Sequence, residues 1–419
     1  MPNWSASMEQ SFEFYVVNPD TWADEKRLMT IKSCTINRDS EVKTLGSATF
    51  DVTDSVGECY IRVYLVTIQN GVKERHPLGT FLAQTPSSSF DGKTRSVSMD
   101  AYTPLLELNE KSPPIGYYIP KGSDIMEYAY DLMDKNMRGP VSKPAPSTNL
   151  QYDFISDTNE TWLDFLTELT SSAPVSTCYK VVSNENGNFV RTSDEIKPPE
   201  KSEEIRNTKT TSNDVVYKYI DAENNEQYYC LVEGIIKYKL DLDEMGRVLF
   251  MPSIDVSVMT PVWTYNDDNS SILYPDISMD HDLYGIPNIV EAVYADDKYY
   301  LVSRVVNDDP NSPTSTIVRG RDIVYRVLNP DIHGAATREA TQKVLDEYAE
   351  ETLSALSSVE YTVSYTHGYC PVRVGDCVRL NYTRAGLKNI KAKVISQSIK
   401  CETGCSVSEK AVFTSKLWR

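Results

Sequence analysis

Histidine is scarce. The 419-residue chain carries four, at positions 76, 281, 333 and 367, and none sits in a GxSxG elbow or an HExxH pair. The common nucleophile–base and zinc-protease signatures are therefore missing. No GxGxxG or GxxxxGK[ST] loop is present to cradle a phosphate. No run approaches the ~20 apolar residues of a membrane-spanning helix. The opening MPNWSASMEQSFEF has neither the basic start nor the apolar core of a secretory signal. Assembly in a cytoplasm is the expectation, with the eight cysteines starting out reduced. Basic residues are also few: 42 Lys and Arg against 60 Asp and Glu, for a net charge of −18. Gripping nucleic acid needs clustered Lys and Arg, so a nucleic-acid binder is a poor fit. A solubilising surface, or one that DNA passes without sticking, fits the charge.

Tyrosine is plentiful, at 27 against 10 Phe, which suits pleated, half-buried surfaces. Short strands are expected at Ser11–Val17, Ala48–Val52, Cys59–Thr67, Leu78–Ala83 and Thr94–Tyr102, with hairpin signals at Asn70-Gly71 and Asp91-Gly92. Ser123-Asp124 can cap a helix through Ile125, Ala129 and Met133, and a second helix fits Thr161–Ser171. A small hairpin is expected around residues 178–191, and 197–213 reads as a linker or exposed loop. DEMGR at 243–247 reads as a turn. A longer helix is expected over Thr337–Ser357, with Val344, Tyr348, Leu353 and Leu356 on its apolar side. Short strands return after Val359.

Candidate chemistry is thin. His281 lies among Asp276, Asp280 and Asp282, where a cation could sit, but Asp-rich loops are ordinarily solvated turns and no EF-hand spacing is present. Asn307–Thr316 (NDDPNSPTST) reads equally as a functional loop or an ordered turn. Sixty acids make chance carboxylate pairs inevitable, so glycosidase pairing carries no signal. Cys370, Cys377, Cys401 and Cys405 have spacings wrong for two zinc knuckles. Structural zinc and disulfides formed in an oxidising medium stay open for them, with packing thiols favoured. Gly375 falls where a turn or bulge needs positive φ.

Taken together, the Val374-Gly375-Asp376-x-Val378 turn after one long helix, the NDDPNSPTST segment, TWLDFLTELTSSAPVSTCYKV, and Gly79–Asp100 within LGTFLAQTPSSSFDGKTRSVSMDAY resemble the hub proteins of phage tail tips and baseplates. The resemblance implies a mainly β fold with α+β inserts: two tail-tube-like antiparallel β-barrel or sandwich domains plus a helix-containing middle region. The boundaries expected are an N-terminal tube-like β domain over 1–106, a helix-containing insert over 107–204, a mixed β region over 205–335, a linking helix over 336–357 and a C-terminal β domain over 358–419. It implies a homotrimeric adaptor between a six-fold tail tube and a three-fold spike or fibre. Its partners would be the tail tube or distal tail protein, the tape measure protein and the spike or fibre, with DNA passing through the lumen without specific binding. The location implied is the virion tail, after assembly in the host cytoplasm. No catalytic, cofactor or metal residue carries over, so no enzyme activity and no cofactor is expected. The chain stops at Arg419, directly after the β domain, so the peptidase or wall-degrading activity of many relatives is expected to be absent here or to sit on another polypeptide. A tail-associated wall hydrolase or peptidase, and a host-glycan-binding tail module, are the alternatives.

Overall fold

The computed structural model describes all residues except 1, 54–55, 91, 94, 146, 184–188, 197–202, 206–215, 222, 270, 331, 333–336 and 419. The expected linker at 197–213, the turn of the hairpin around 178–191, Asp91 and His333 thus lie largely or wholly outside the described residues. By contacts the chain divides into two units: residues 1–259 with 397–407, and residues 260–396 with 408–419. Among the described residues no helix is long and apolar enough to cross a membrane.

The first unit begins with strands β1 (Glu9–Val17), β2 (Asp24–Arg27), β3 (Ile31–Asp39), β4 (Gly46–Val52), β5 (Cys59–Gln69), β6 (Val72–Phe90) and β7 (Arg95–Tyr102). They hydrogen-bond in the order β3-β4-β7-β6-β5-β1-β2, and the printed pairings are antiparallel. Burial runs unbroken from Tyr60 through Thr67 in β5, so this strand is covered on both faces. The sequence leaves β2 and β3 unannounced, because IKSCTINRD mixes polar residues into a strand that buries Ile31, Cys34 and Ile36. It also breaks β6 at Pro77, which cannot donate to a ladder. The strand continues through a bulge of its own: Val63 pairs with Gly79 and Tyr64 with Pro77, leaving Leu78 of β6 unpaired.

Short helix α1 (Leu106–Asn109) leads to the ribbon β8 (Tyr118–Ile119) with β9 (Phe154–Ile155), and to α2 (Ile125–Asn136) and α3 (Trp162–Ser172). Asp124 caps α2 by accepting the Glu127 N–H at 2.8 Å. A reciprocal Thr161–Asp164 capping box starts α3. Their apolar faces, including Met126, Ala129, Met133, Phe165, Leu166 and Leu169, share one core with Tyr238, Leu240 and Val248. The last three come from β14 (Glu226–Leu242) and β15 (Val248–Pro252), which join β10 (Pro174–Ser183), β11 (Phe189–Glu195), β12 (Glu203–Ile205) and β13 (Val216–Ile220) in a six-stranded sheet.

The second unit holds β16 (Trp263–Asn266), β17 (Leu273–His281), β18 (Ile289–Ala295), β19 (Tyr300–Val306), α4 (Thr316–Arg319), β20 (Val324–Leu328), α5 (Arg338–Leu356), β21 (Ser358–Gly368) and β22 (Cys377–Tyr382). Strands β23 (Leu387–Cys401) and β24 (Ser406–Lys416) are shared between the units at the divisions given above. A three-stranded sheet, β19-β18-β20, packs Val290, Ala292 and Leu301 on α5 and Trp418. Helix α5 starts where expected, with Thr337 as its cap. Its buried stripe is Thr341, Leu345, Ala349 and Leu353, which keeps the expected Leu353 and otherwise runs one residue along from the expected positions. Val344, Tyr348 and Leu356 flank it, half-buried. A spacing of four tilts only slowly around a 3.6-residue turn, so small Ala349 lets the helix sit close to the sheet.

Candidate functional site

Each unit contains a buried charged centre. In the first, Arg62 projects from the middle of β5 and is 1% exposed. Each of its three guanidinium nitrogens donates to a protein acceptor. Nε donates to Thr80 Oγ1 at 2.9 Å, one Nη to Asp24 Oδ1 at 2.7 Å, and the other to the carbonyls of Trp22 and Met245 at 3.2 Å each. Tyr64 donates to Asp24 Oδ2 at 2.8 Å. Arg75 stacks 4.0 Å from the Tyr64 ring centroid and pairs with both Asp24 and Glu13. A buried charge is tolerated when it is paired and hydrogen-bonded.

The Met245 carbonyl belongs to the DEMGR turn expected at 243–247. Gly246 closes it at φ +78, with its N–H on the Asp243 carbonyl at 3.0 Å. The turn docks on the first sheet: Trp22 Nε1 donates to the Met245 carbonyl at 2.6 Å, and Arg38 pairs with Glu244 at 3.5 Å. A Cβ on Gly246 would lie 2.9 Å from Thr80 Cβ and 3.1 Å from Trp22. One turn of the later sheet region is thus keyed into the first sheet.

In the second unit, His367 and Glu409 are both fully buried, with Nε2 and Oε1 3.2 Å apart. His367 Nδ1 lies 2.6 Å from the Gly368 carbonyl, a contact that needs a proton on Nδ1. Tyr265 and Tyr365 donate to Glu409 Oε2 at 3.2 and 2.7 Å. Burial opposes charge on the imidazole. Its hydrogen bonds to Cys370 and Glu409, and the Glu409 charge, outweigh it and raise His367 to about 10. The pair is therefore imidazolium and carboxylate at neutral pH. Burial first, and Glu409 next, push both tyrosines well above their ordinary value.

Cys370 Sγ lies 3.9 Å from His367 Nδ1, a thiol–imidazole–carboxylate grouping on paper. It is not built for nucleophilic work. The nitrogen nearest the thiol is committed to the Gly368 carbonyl, and Cys370 and His367 are 2% and 0% exposed, so no substrate reaches the sulfur. A cleft of about 360 Å³ in the first unit is lined by Glu58, Glu107, Glu110, Lys111, Lys135 and Arg138, among others. Arg138 is paired with Glu107, and Lys111 donates to the Asn136 carbonyl. Much of its charge is spent on its own walls.

The residues singled out by sequence scatter. His281 stacks on Tyr361 at 4.7 Å. Among the described residues no three His, Cys, Asp or Glu side chains are placed to share a metal ion. The 307–316 loop takes the ordered-turn reading: Asn307, Ser312, Thr314 and Ser315 are at most 2% exposed, and Asn307 donates to Ser312 Oγ at 2.9 Å. Cys370 and Cys377 lie in the second unit, Cys401 and Cys405 in the first, and all four are buried thiols. Gly375 has the positive φ expected, +95, and its N–H reaches the Val394 carbonyl at 2.7 Å. Sequence reasoning passed over Arg62 and Glu409. For Arg62 the available signal was a lone charge inside an apolar strand run, CYIRVYLVT; Glu409, beside Lys410 in SEKAVF, carried none.

By sequence, no family model and no curated protein matches the chain. Among solved structures, the tail protein from Neisseria meningitidis MC58 aligns over 96% of this chain and 96% of its own at 12% identity, with a TM-score of 0.51. The 43 kDa tail protein of prophage MuSo2 from Shewanella oneidensis aligns over 96% and 98% at 11% identity, with a TM-score of 0.49. Prophage tail protein gp18 from Listeria monocytogenes EGD-e aligns over 95% and 94% at 11% identity, with a TM-score of 0.41. The first of these shows that the chain shares the fold of a tail protein, nearly end to end. The mainly β, tail-protein fold implied by the resemblance is the fold found.

Proposed function

We propose that this protein is a structural, non-enzymatic hub of a phage tail tip or baseplate. It acts as a homotrimeric adaptor that joins a six-fold tail tube to a three-fold spike or fibre and surrounds the DNA channel. The observation that carries the reading is the end-to-end fold match to the N. meningitidis tail protein. The buried charged centres agree with it. They are spent on holding β elements together, and the one Cys–His proximity described above is closed to substrate. In this reading the boundaries expected from sequence delimit the two tube-like domains and their inserts, and the partners are the tail tube or distal tail protein, the tape measure protein and the spike or fibre.

A closed three-fold ring is the symmetric solution that covers exposed strand edges in such an adaptor. Part of the net charge of −18 would face the lumen, because each phosphate neutralised by a basic wall releases counterions and would hold the duplex. Light scattering and electron microscopy of the purified chain, alone and with a tail-tube partner, test the proposal. The expected result is a three-fold ring with a central hole. A stable dimer, activity on cell walls in a zymogram, or duplex-DNA binding at physiological salt would each overturn part of it.

A further inference from the structure

Strand β3 runs beside β23, whose residues 397–401 belong to the first unit. Two side-chain contacts set their register. Ser398 Oγ donates to Asn37 Oδ1 at 2.8 Å, and Arg38 Nη1 donates to Gln397 Oε1 at 3.3 Å. A step forward from Asn37 to Arg38 is matched by a step back from Ser398 to Gln397, the antiparallel relation. Three residues along in the other direction, the same register sets Cys34 opposite Cys401.

Opposed residues of an antiparallel pair project on the same face, with Cβ atoms about 4.5–5.5 Å apart. Disulfides span Cα separations of about 4.4–6.8 Å, the range of such pairs. Cys34 is 3% and Cys401 2% exposed, and the two thiols are hydrogen-bonded. The next turn, Glu402-Thr403-Gly404, is exposed. It offers a place where the strand end can fray and admit a small reagent.

We propose that Cys34 and Cys401 form a latent disulfide site, reduced when the chain folds and joined when the folded protein meets an oxidising small-molecule disulfide. The Cys401 thiolate attacks one sulfur of the reagent. An S–S bond breaks, a mixed disulfide forms and one small thiol leaves with the proton Cys401 gave up. The Cys34 thiolate then attacks the Cys401 sulfur and expels the second small thiol. Two electrons pass to the reagent and two protons end on its thiols. The link ties β3 covalently to the hairpin between β23 and β24 and closes almost the whole chain into one loop. The pairing that this joint makes by hydrogen bonds then no longer depends on them. The inference stands independently of the hub proposal.

The hydrogen bond to Cys34, and then burial, push the Cys401 thiol well up. Little thiolate exists near neutrality and oxidation is slow there. Cys405, four residues on in the same turn and 0% exposed, is the competing partner.

The test is to incubate the folded, full-length chain with oxidised glutathione at pH 7 and pH 8.5, quench with acid, alkylate and map the digest by mass spectrometry. The expected product is a peptide pair joining Cys34 to Cys401. The titratable thiols should fall by two, the band should move faster on a non-reducing gel, and the rate should rise roughly tenfold per pH unit. Cys34→Ser and Cys401→Ser should each abolish the product, while Cys405→Ser should retain it. Persistence of all eight thiols, a Cys401–Cys405 or interchain link, or mixed disulfides alone would overturn the proposal. Because the wild-type chain carries the primary readout, a variant that fails to fold does not decide the result.

Discussion

Removing the imidazolium beside Glu409 tests the charged centre of the second unit. His367→Gln keeps the approximate volume but deletes the positive partner of a buried carboxylate. The folded imidazole titrates at about 10 against an ordinary 6.5. At 1.36 kcal/mol per unit, that difference is worth on the order of 4–5 kcal/mol. An independent figure, about 3–5 kcal/mol for breaking a buried pair by deleting one partner, is of the same size. The tyrosine hydroxyls on Glu409 Oε2 remain in the variant and will soften the loss. Because the folded value is raised, the contribution is complete below about pH 6.5 and is lost as pH climbs through about 10. The assay is hydrogen exchange of peptides from β21 and β24 in both proteins at pH 6, 8 and 10, corrected for intrinsic rates. It isolates this unit even where global unfolding is not two-state. The wild type should be better protected by a margin that is largest at pH 6 and small at pH 10. A margin that stays constant, or grows with pH, would refute an imidazolium–carboxylate pair.

Two further perturbations follow from the turns. Gly246→Ala places a Cβ 2.9 Å from Thr80 Cβ at φ +78. The left-handed backbone and the clash together should cost about 2–5 kcal/mol, read as a lower urea midpoint, with early loss of protection at the 243–247 turn. Gly375→Val, at φ +95, should cost about 1–3 kcal/mol and loosen the strands around Cys377 and Val394; an unchanged melting curve would show that the turn tolerates a side chain.

Much of the architecture is legible in residue order because local physics writes it there. Asp124 and Thr161 announce their helices by capping, since short side-chain oxygens satisfy the first free N–H groups whatever the fold. The long Pro- and Gly-free stretch after Thr337 announces α5, and the Gly at 375 announces a turn that only Gly adopts cheaply. Alternation marks β4 of the first sheet, where every second residue is buried. What local pattern cannot carry is partnership. β3 is polar enough to pass for a loop until neighbouring strands cover it, and β6 looks broken at Pro77 until a bulge at the next residue, Leu78, carries the strand past it. Arg62 looks like a misplaced surface charge until Asp24, Thr80 and the carbonyl of Met245, 183 residues away in sequence, converge on it. Glu409 and His367 are unremarkable apart and an ion pair together. Composition and sequence determined a mainly β chain with capped helices and no ready-made catalytic motif. Only the tertiary structure decided which charges are buried, which cysteines face each other and which turn locks onto which sheet, because each of those depends on groups far apart in sequence sharing one desolvated space.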